Sequence, residues 1–223
     1  MIRFLSQVAV ALLAIPVTLS VLYNFSNPAS TLMLHRLATG QRVERVWTPL
    51  SEVSPALVRT VVASEDARFC THNGIDITEM RNVVEKADDL EDLRGTSTIT
   101  MQVVKNLFLW QRPEIPRKVL EVPLALWLDL VMSKQRILEI YLNIAEWGPN
   151  GTFGVGAAAR DQFGLAPSRL NADQAARLAV MLPNPARRSA GAPSPGMSRL
   201  ADRLQARVPR EPPDMVACVR LHG

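Results

Sequence analysis

Cysteine, lysine and tyrosine are scarce in this chain of 223 residues, which has two cysteines, two tyrosines and only four lysines among its 25 basic residues. The cysteines, Cys70 and Cys218, show neither zinc-site spacing nor a disulfide-dense framework, and the sequence leaves open whether they pair. Internal repeats and convincing strand patterns are also absent, so we expect a mainly α protein. The net charge of +4 is modest and gives no reason to expect a nucleic-acid partner.

Charged residues are missing from Phe4 to Leu34. The apolar run Phe4–Phe25 is long enough to cross a hydrocarbon core of about 30 Å as a helix. Arg3 precedes it, which places the N-terminus in the cytoplasm by the positive-inside rule. We therefore expect a cytoplasmic stub at 1–3, a transmembrane signal anchor at 4–25, and the rest of the chain outside. A cleaved signal peptide is the rival interpretation, although no clear small-x-small cleavage site follows.

The stretch from Ser54 to Gly74 carries the most unusual pattern. Ser54 is suited to cap a helix and Pro55 to begin it. Four apolar residues then follow at helical spacing, namely Leu57, Val58, Val61 and Val62. Glu65 extends the same core-facing stripe, with Asp66 beside it. Burial, a neighbouring carboxylate and a helix C-terminus would each raise the pKa of that carboxyl group, which suits a group that transfers protons near neutral pH. The alternative is that Glu65 only ends an ordinary surface helix.

The remaining segments are predicted from helix, turn and charge signals. We expect a tether at 26–44 with a turn at Asn27-Pro28, and a short strand near Val43–Trp47. Further on, we expect a helix at Asp76–Glu85, a solvated acidic loop around 88–92, a helix that starts at Pro116, and a strong helical signal over Leu124–Trp147 that breaks at Ser133. Three more helices are predicted at Ala157–Phe163, Asn171–Leu182 and 197–207.

Three further stretches have glycines or charges in suggestive places. Gly95 precedes a run of hydroxyl residues, which is typical of a helix start that could hold an anion or a sugar. The glycines between Gly148 and Gly156 form a loop whose backbone could approach a ligand closely. Arg117 and Glu121 share a helix face, which in isolation predicts an ordinary ion pair.

Four motifs in this order resemble the peptidoglycan glycosyltransferases of family 51, the catalytic module of class A penicillin-binding proteins. They read Glu65-Asp66-x-x-Phe69-x-x-His72-x-Gly74, Gly95-x-Ser97-Thr98-Ile99-Thr100-x-Gln102-x-x-Lys105-Asn106, Arg117-Lys118-x-x-Glu121, and Ser133-Lys134-x-Arg136-Ile137-Leu138-Glu139-x-Tyr141-Leu142-Asn143. The resemblance covers about residues 45–185, which we expect to be the catalytic domain, with a Pro/Arg-rich extension at 186–223. No Ser-x-x-Lys acylation motif occurs, so the chain looks like the monofunctional, membrane-anchored biosynthetic enzymes of this family.

The resemblance implies a lysozyme-like helical fold with a larger head lobe and a smaller jaw lobe near the membrane. It implies an inverting transferase that polymerises lipid II into β-1,4-linked glycan strands and releases polyprenyl diphosphate, in cell-wall biogenesis and the maintenance of cell shape. Glu65 matches the general base, and Glu121 matches a second catalytic acid that assists on the diphosphate side. The residues matching substrate-binding positions are Asp66, Phe69, His72, Gly74, Ser97, Thr98, Gln102, Lys105, Asn106, Arg117, Lys118, Lys134 and Arg136.

Four positions depart from the family pattern. Met101 replaces the first of two glutamines, and a thioether cannot make the hydrogen bonds of an amide. Pro123 interrupts a stretch that is usually a smooth helix. Gly156 stands where the family often has Glu, and Asp129 stands where a longer acid is common. These changes could weaken activity or alter the geometry of the donor site, but none of them removes Glu65 or Glu121, so we still expect an enzyme.

The cofactor, partner and localisation predictions follow from the resemblance. No cofactor is indicated with certainty, and a divalent cation, Mg²⁺ or Mn²⁺, is left open. The expected partners are lipid II, the growing lipid-linked strand, the membrane, and transpeptidases with divisome or elongasome proteins. The expected location is the inner membrane, with the catalytic domain on its periplasmic side. Two other functions stay open: a lysozyme-like lytic enzyme, and a catalytically weak membrane scaffold of the wall-synthesis complex.

Overall fold

The computed structural model describes residues 14–86, 97–110 and 114–221 and is mainly helical, as the sequence predicts. The described part opens with helical residues 14–22, termed α1. The helices that follow are α2 (Thr31–Ala38), α3 (Pro55–Glu65), α4 (Ile77–Lys86), α5 (Ile99–Phe108), α6 (Glu114–Val131), α7 (Lys134–Ile144), α8 (Val155–Phe163), α9 (Ala172–Met181) and α10 (Pro195–Arg207). Short 3-10 helices lie at Leu50–Glu52, Pro167–Arg169, Val208–Arg210 and Pro213–Val216.

Helix α3 is buried against the C-terminal half of the chain. It packs on α9, and α9 in turn packs on α10. The predicted stripe is confirmed, because Leu57, Val58, Val61 and Val62 are all fully buried. Burying each such side chain contributes about 1.5–3 kcal/mol, so α3 is firmly held. A second group of helices forms where α5 packs on both α6 and α7.

Helix boundaries follow local signals where the chain has them. Asn171 and Gln174 form a capping box at the start of α9. The predicted break at Ser133 is confirmed, since its hydroxyl accepts a hydrogen bond of 3.3 Å from the Arg136 amide. Pro55 does begin α3, but the Ser54 hydroxyl does not cap it and instead donates to the Leu170 carbonyl at 2.7 Å.

The long helical prediction is wrong at both ends. Helix α6 begins at Glu114 and continues through Pro123, while α7 ends at Ile144 rather than Trp147. Pro123 is tolerated because it lies on the exposed side of α6, and the carbonyl that its missing N–H would have bonded belongs to Val119, which is 71% exposed. Water can satisfy a carbonyl at that position.

The segment that we expected to be a tether contains a packed helix. Ser30 caps α2, Met33 is buried, and the Thr31 hydroxyl donates to the Leu109 carbonyl at 2.9 Å. The C-terminal extension is likewise folded, because α10 lies on α9 and a disulfide joins Cys218 to Cys70. Neither segment has a strong hydrophobic pattern in the sequence. Its packing depends on contacts with distant parts of the chain, which the sequence does not show.

A two-stranded parallel sheet joins the segment near residue 44 to the glycine loop. Strand β1 (Glu44–Arg45) pairs with β2 (Thr152–Phe153), which confirms the predicted strand near Val43–Trp47 and adds a small sheet that we did not predict. Gly151 has φ +75°, and a Cβ atom there would lie 1.9 Å from the Arg42 carbonyl oxygen. The loop glycine that we expected to admit a ligand therefore admits the chain's own backbone.

Several predictions fall partly or wholly outside the described residues. The predicted anchor at 4–25 is described only from residue 14, and within the described ranges no helix has both the length and the apolar character needed to cross a membrane. The end of α1 is tied to α6, because Trp127 donates to the Ser20 hydroxyl at 2.9 Å and Asn24 donates to the Val131 carbonyl at 3.1 Å. The acidic loop around 88–92 and Gly95 also lie outside the described residues.

Candidate active site

Glu65 is the last residue of α3, and its carboxylate is held from the facing helix α5. Gln102 Nε2 donates to Glu65 Oε2 at 3.0 Å. Burial raises the pKa of the Glu65 carboxyl above its ordinary value, while the Gln102 hydrogen bond and the positive charge of Lys105 act in the opposite direction. A partly buried acid with an elevated pKa is suited to accept a proton near neutral pH.

A polar cleft of about 260 Å³ opens beside Glu65. Its wall includes Ser97 and Thr98, which precede α5, and Arg207 from the end of α10. Lys118 Nζ lies 3.2 Å from the Ser97 hydroxyl and donates to it. This contact brings the cationic start of α6 to the rim of the cleft that contains Glu65. The remaining lining residues are Ala63, Ser64, Asp66, Ala67, Arg68, Asp76 and Glu79.

A second cleft of about 240 Å³ is lined by Gln102, Lys105, Asn106 and Tyr141. The Glu65–Gln102 hydrogen bond therefore links the walls of the two clefts. The other lining residues are Ser30, Leu32, Ile144, Ala145, Glu146, Phe153, Leu182, Pro183 and Pro185. This mixture of polar groups and apolar walls suits a sugar ring with a charged substituent.

Arg117 and Glu121 form a buried ion pair on α6. Arg117 Nε lies 2.7 Å from Glu121 Oε1, and both side chains are less than one-tenth exposed. Arg117 also donates to the Trp110 carbonyl at 3.1 Å. Within the described ranges, no group of three or more His, Cys, Asp or Glu side chains is placed to hold a metal ion. Because the carboxylate of Glu121 is already engaged by a guanidinium group, its setting does not fit a cation site, and we assign no step to a metal.

Asp66 and His72 support the start of α5. The Asp66 carboxylate accepts from His72 Nε2 at 2.9 Å and from the Ile99 amide at 2.9 Å. The Thr98 hydroxyl accepts from the Met101 amide and donates to the Gly74 carbonyl at 2.6 Å. Gly74 has φ +82°, and a Cβ atom there would lie 2.4 Å from the Ala125 carbonyl. These predicted binding residues therefore fix the helix that carries Gln102 and Lys105.

Phe69, Lys134 and Arg136 also contact other parts of the protein. Phe69 is fully buried, with Lys134 Nζ 4.6 Å from its ring centroid. Arg136 donates to the Tyr23 carbonyl at 3.0 Å and lies over the Trp47 ring. The structure thus brings Glu65, Gln102 and Lys105 together, but it places Arg136 at the segment that follows α1.

The departures from the family pattern have local explanations. Met101 is only 2% exposed, so its thioether fills the core. A Cβ atom at Gly156 would lie 2.4 Å from the Thr48 hydroxyl and 2.8 Å from the Val46 carbonyl, so no longer residue fits there. Asp129 Oδ1 lies 2.7 Å from Lys134 Nζ, so the aspartate side chain is long enough to form this ion pair.

Three site residues were missed by sequence reasoning. Tyr141 belongs to the fourth family motif but was given no role in the site, and Arg207 was assigned only to the predicted helix at 197–207. Glu146 lines the second cleft and pairs with Arg36; burial raises the pKa of Glu146, and the Arg36 charge opposes that rise. Two signals could have singled out Tyr141: its place in the fourth family motif, and the rarity of tyrosine, which occurs twice.

Known proteins are similar to this chain over most of its length. A family model described as transglycosylase matches residues 31–208, which extends beyond the limits 45–185 that we expected. The chain is 56% identical over 206 residues to a protein named biosynthetic peptidoglycan transglycosylase in Rhodopseudomonas palustris (strain TIE-1), covering 92% of this chain and 87% of that protein. Proteins of the same name are 53% identical in Nitrobacter winogradskyi, covering 92% and 91%, and 48% identical in Rhizobium meliloti, covering 93% and 89%.

Proposed function

Because the chain belongs to the transglycosylase family, it is a peptidoglycan glycosyltransferase, and we propose that it joins lipid II units with Glu65 as the general base. The observation that carries this proposal is the buried Glu65 carboxylate beside Gln102 and Lys105. In the proposed step, Glu65 takes the proton of the acceptor 4-hydroxyl. The oxygen then attacks the donor C1 as the bond to the diphosphate breaks, which inverts the configuration from α to β.

The two clefts supply a place for each substrate. We assign the donor sugar to the cleft of Lys105, Asn106 and Gln102, and the acceptor to the cleft of Glu65, Ser97 and Thr98. The departing diphosphate needs cations. Lys105 lines the cleft that we assign to the donor, and Lys118 lies 3.2 Å from the Ser97 hydroxyl at the rim of the other cleft. Separate clefts for acceptor and donor are compatible with an attack on C1 from the side opposite the leaving group.

The ion pair of α6 has a supporting role in this scheme. We infer that Glu121 orients the Arg117 guanidinium, whose planar donors suit diphosphate oxygens. The predicted binding residues that lie deeper in the protein have structural roles. Asp66, His72 and Gly74 hold the start of α5. Phe69 and Lys134 contact each other and hold the loop behind it. Arg136 fixes the segment after α1, which relates the catalytic domain to the predicted anchor.

We place the enzyme on the inner membrane with the catalytic domain outside. The apolar run 4–25 supports an anchor, and its described end lies on α6. Helix α6 carries an exposed apolar stripe at helical spacing, with Val119 71%, Leu126 44% and Leu130 77% exposed. The disulfide of Cys70 and Cys218 supports an oxidising compartment such as the periplasm. Transpeptidases and divisome or elongasome proteins are the partners we propose.

The test is to incubate the purified full chain separately with lipid II and with finished peptidoglycan. We expect glycan polymer and polyprenyl diphosphate from lipid II, and no change in the finished glycan. Release of muropeptides from the finished glycan without polymer would instead indicate the lytic function. A protein that acts on neither substrate would be a scaffold.

A further inference from the structure

Three helices meet around the carboxylate of Glu65, and the third contributes a buried phenol. Tyr141 on α7 is 1% exposed, and its hydroxyl donates to Gln102 Oε1 at 3.3 Å. Gln102 on α5 also contacts Glu65, since its Nε2 donates to Glu65 Oε2 at 3.0 Å. The negative charge of Glu65 also acts on this phenol and raises its pKa, while the phenol donates its single proton to Gln102.

An amide side chain can present either its oxygen or its nitrogen to a neighbour, and in Gln102 the oxygen lies at the Tyr141 hydroxyl while the nitrogen lies at Glu65. Burial, together with the negative charges of Glu65 and Asp66, raises the pKa of the Tyr141 hydroxyl well above its ordinary value. The phenol therefore keeps its proton at any working pH and acts as a donor. A donor at the oxygen end of Gln102 leaves the N–H end for Glu65.

We propose that Tyr141 is a positioning residue that holds the Gln102 amide N–H toward Glu65 and thereby keeps the catalytic carboxylate ionised and fixed in place. This inference rests on the proposed role of Glu65 as the general base. Without the phenol, Gln102 could turn its oxygen toward Glu65, an arrangement that favours the protonated acid. A protonated Glu65 cannot take the acceptor proton.

Other groups around Glu65 act directly on the pKa of its carboxyl group. Asp66 follows it in the chain and raises its pKa, whereas Lys105 on α5 and the Ser64 hydroxyl lower it. The Tyr141 hydroxyl, by contrast, contacts the Gln102 amide itself, at its oxygen. Removing the Tyr141 hydroxyl should therefore move the pKa of Glu65 upward while the charges around it stay unchanged.

The experiment measures kcat/KM for lipid II polymerisation against pH for the wild-type full chain and for Tyr141→Phe. The acidic limb of this profile reports the ionisation of the free enzyme's base. We expect the limb of Tyr141→Phe to move to higher pH by about half a unit to one unit, the equivalent of one hydrogen bond. Below the limb, kcat/KM should fall about three- to tenfold, and it should recover at higher pH.

The chain offers a matched control in its only other tyrosine. Tyr23 stacks on Phe108 and lies outside both clefts, so Tyr23→Phe should leave the limb in place. Gln102→Leu should move the limb in the same direction as Tyr141→Phe, and it carries the test if Tyr141→Phe does not fold. An unmoved limb in Tyr141→Phe, or in Gln102→Leu in that case, overturns the inference. Failure of the wild-type chain to polymerise lipid II would instead overturn the proposed function.

Discussion

Arg117 and Glu121 lie one helical turn apart on α6 and form an ion pair that is buried on both sides, with 2.7 Å between Nε and Oε1. Replacing Glu121 with Gln takes the carboxylate from a buried guanidinium group. We expect the free energy of unfolding to fall by about 3–5 kcal/mol, because a buried charge that loses its counter-charge is costly. Chemical denaturation of Glu121→Gln measures this loss, and activity should be compared only where the variant is folded.

A second pair of the same spacing provides the control. Arg177 and Asp173 on α9 are also four residues apart, but about one-third of each side chain is exposed. Asp173→Asn should therefore cost less than about 1 kcal/mol. Equal costs for the two variants would show that the burial of the Arg117–Glu121 pair has no energetic consequence.

The disulfide of Cys70 and Cys218 closes a loop of 148 residues in sequence separation. It ties the C-terminal segment to the loop that follows Glu65. Replacing both cysteines by serine should lower the free energy of unfolding by about 2–5 kcal/mol, since the unfolded chain regains the freedom that the link removes. Reductant should shift the denaturation midpoint of the wild-type chain and leave that of the double variant unchanged. If reductant shifted the denaturation midpoint of neither protein, the disulfide between Cys70 and Cys218 would be contradicted.

Gly156 lies at the end of the glycine loop, and Gly196 is its matched control. Each glycine is the second residue of its helix. A Cβ atom at Gly156 meets the Thr48 hydroxyl at 2.4 Å, whereas one at Gly196 meets only the end of Arg199 at 3.9 Å. Gly156→Ala should destabilise by about 1–3 kcal/mol. Gly196→Ala should be neutral or stabilising by up to about 1 kcal/mol. Thermal unfolding compares them, and a neutral Gly156→Ala would mean that the 46–48 segment moves freely.

Local signals in the sequence predicted much of the fold, and distant contacts account for the errors. The helix start at Asn171 and the break at Ser133 lie where predicted, because each side chain accepts a hydrogen bond from the amide three residues later. Ser54 was misassigned because its hydroxyl bonds Leu170, 116 residues away. The eight residues of α2 are too few to show a clear period, so its packing could not be predicted from pattern alone.

The features of the candidate site also fall into two groups: those that the sequence predicted, and those that depend on distant contacts. The resemblance to family 51 is confirmed, and with it the prediction that the chain is a peptidoglycan glycosyltransferase. The position of Glu65 on a core-facing stripe followed from helical spacing. The link from Tyr141 to Gln102 joins residues 39 apart on two different helices, and no spacing rule predicts it. The individual substrate-binding roles remain predictions.

The elevated pKa of Glu65 also predicts a pH-dependent cost to stability. Burial favours the protonated form, so the folded state binds this proton more tightly than the unfolded chain does. The folded state consequently loses stability as pH rises from the ordinary carboxyl pKa of 4.5 through the higher folded value. Glu65→Gln, which stays neutral, should be more stable than the wild-type chain at pH 7. That difference should vanish below pH 4.5, and thermal unfolding at several pH values checks it.

The most direct test of the account is the rate of lipid II polymerisation by Glu65→Gln relative to the wild-type chain. Loss of a general base should reduce that rate by about a hundredfold to ten-thousandfold while the protein stays folded. Glu85→Gln, which changes an exposed acid on α4, should retain the wild-type rate. Polymerisation by Glu65→Gln at the wild-type rate would contradict the assignment of Glu65 as the base.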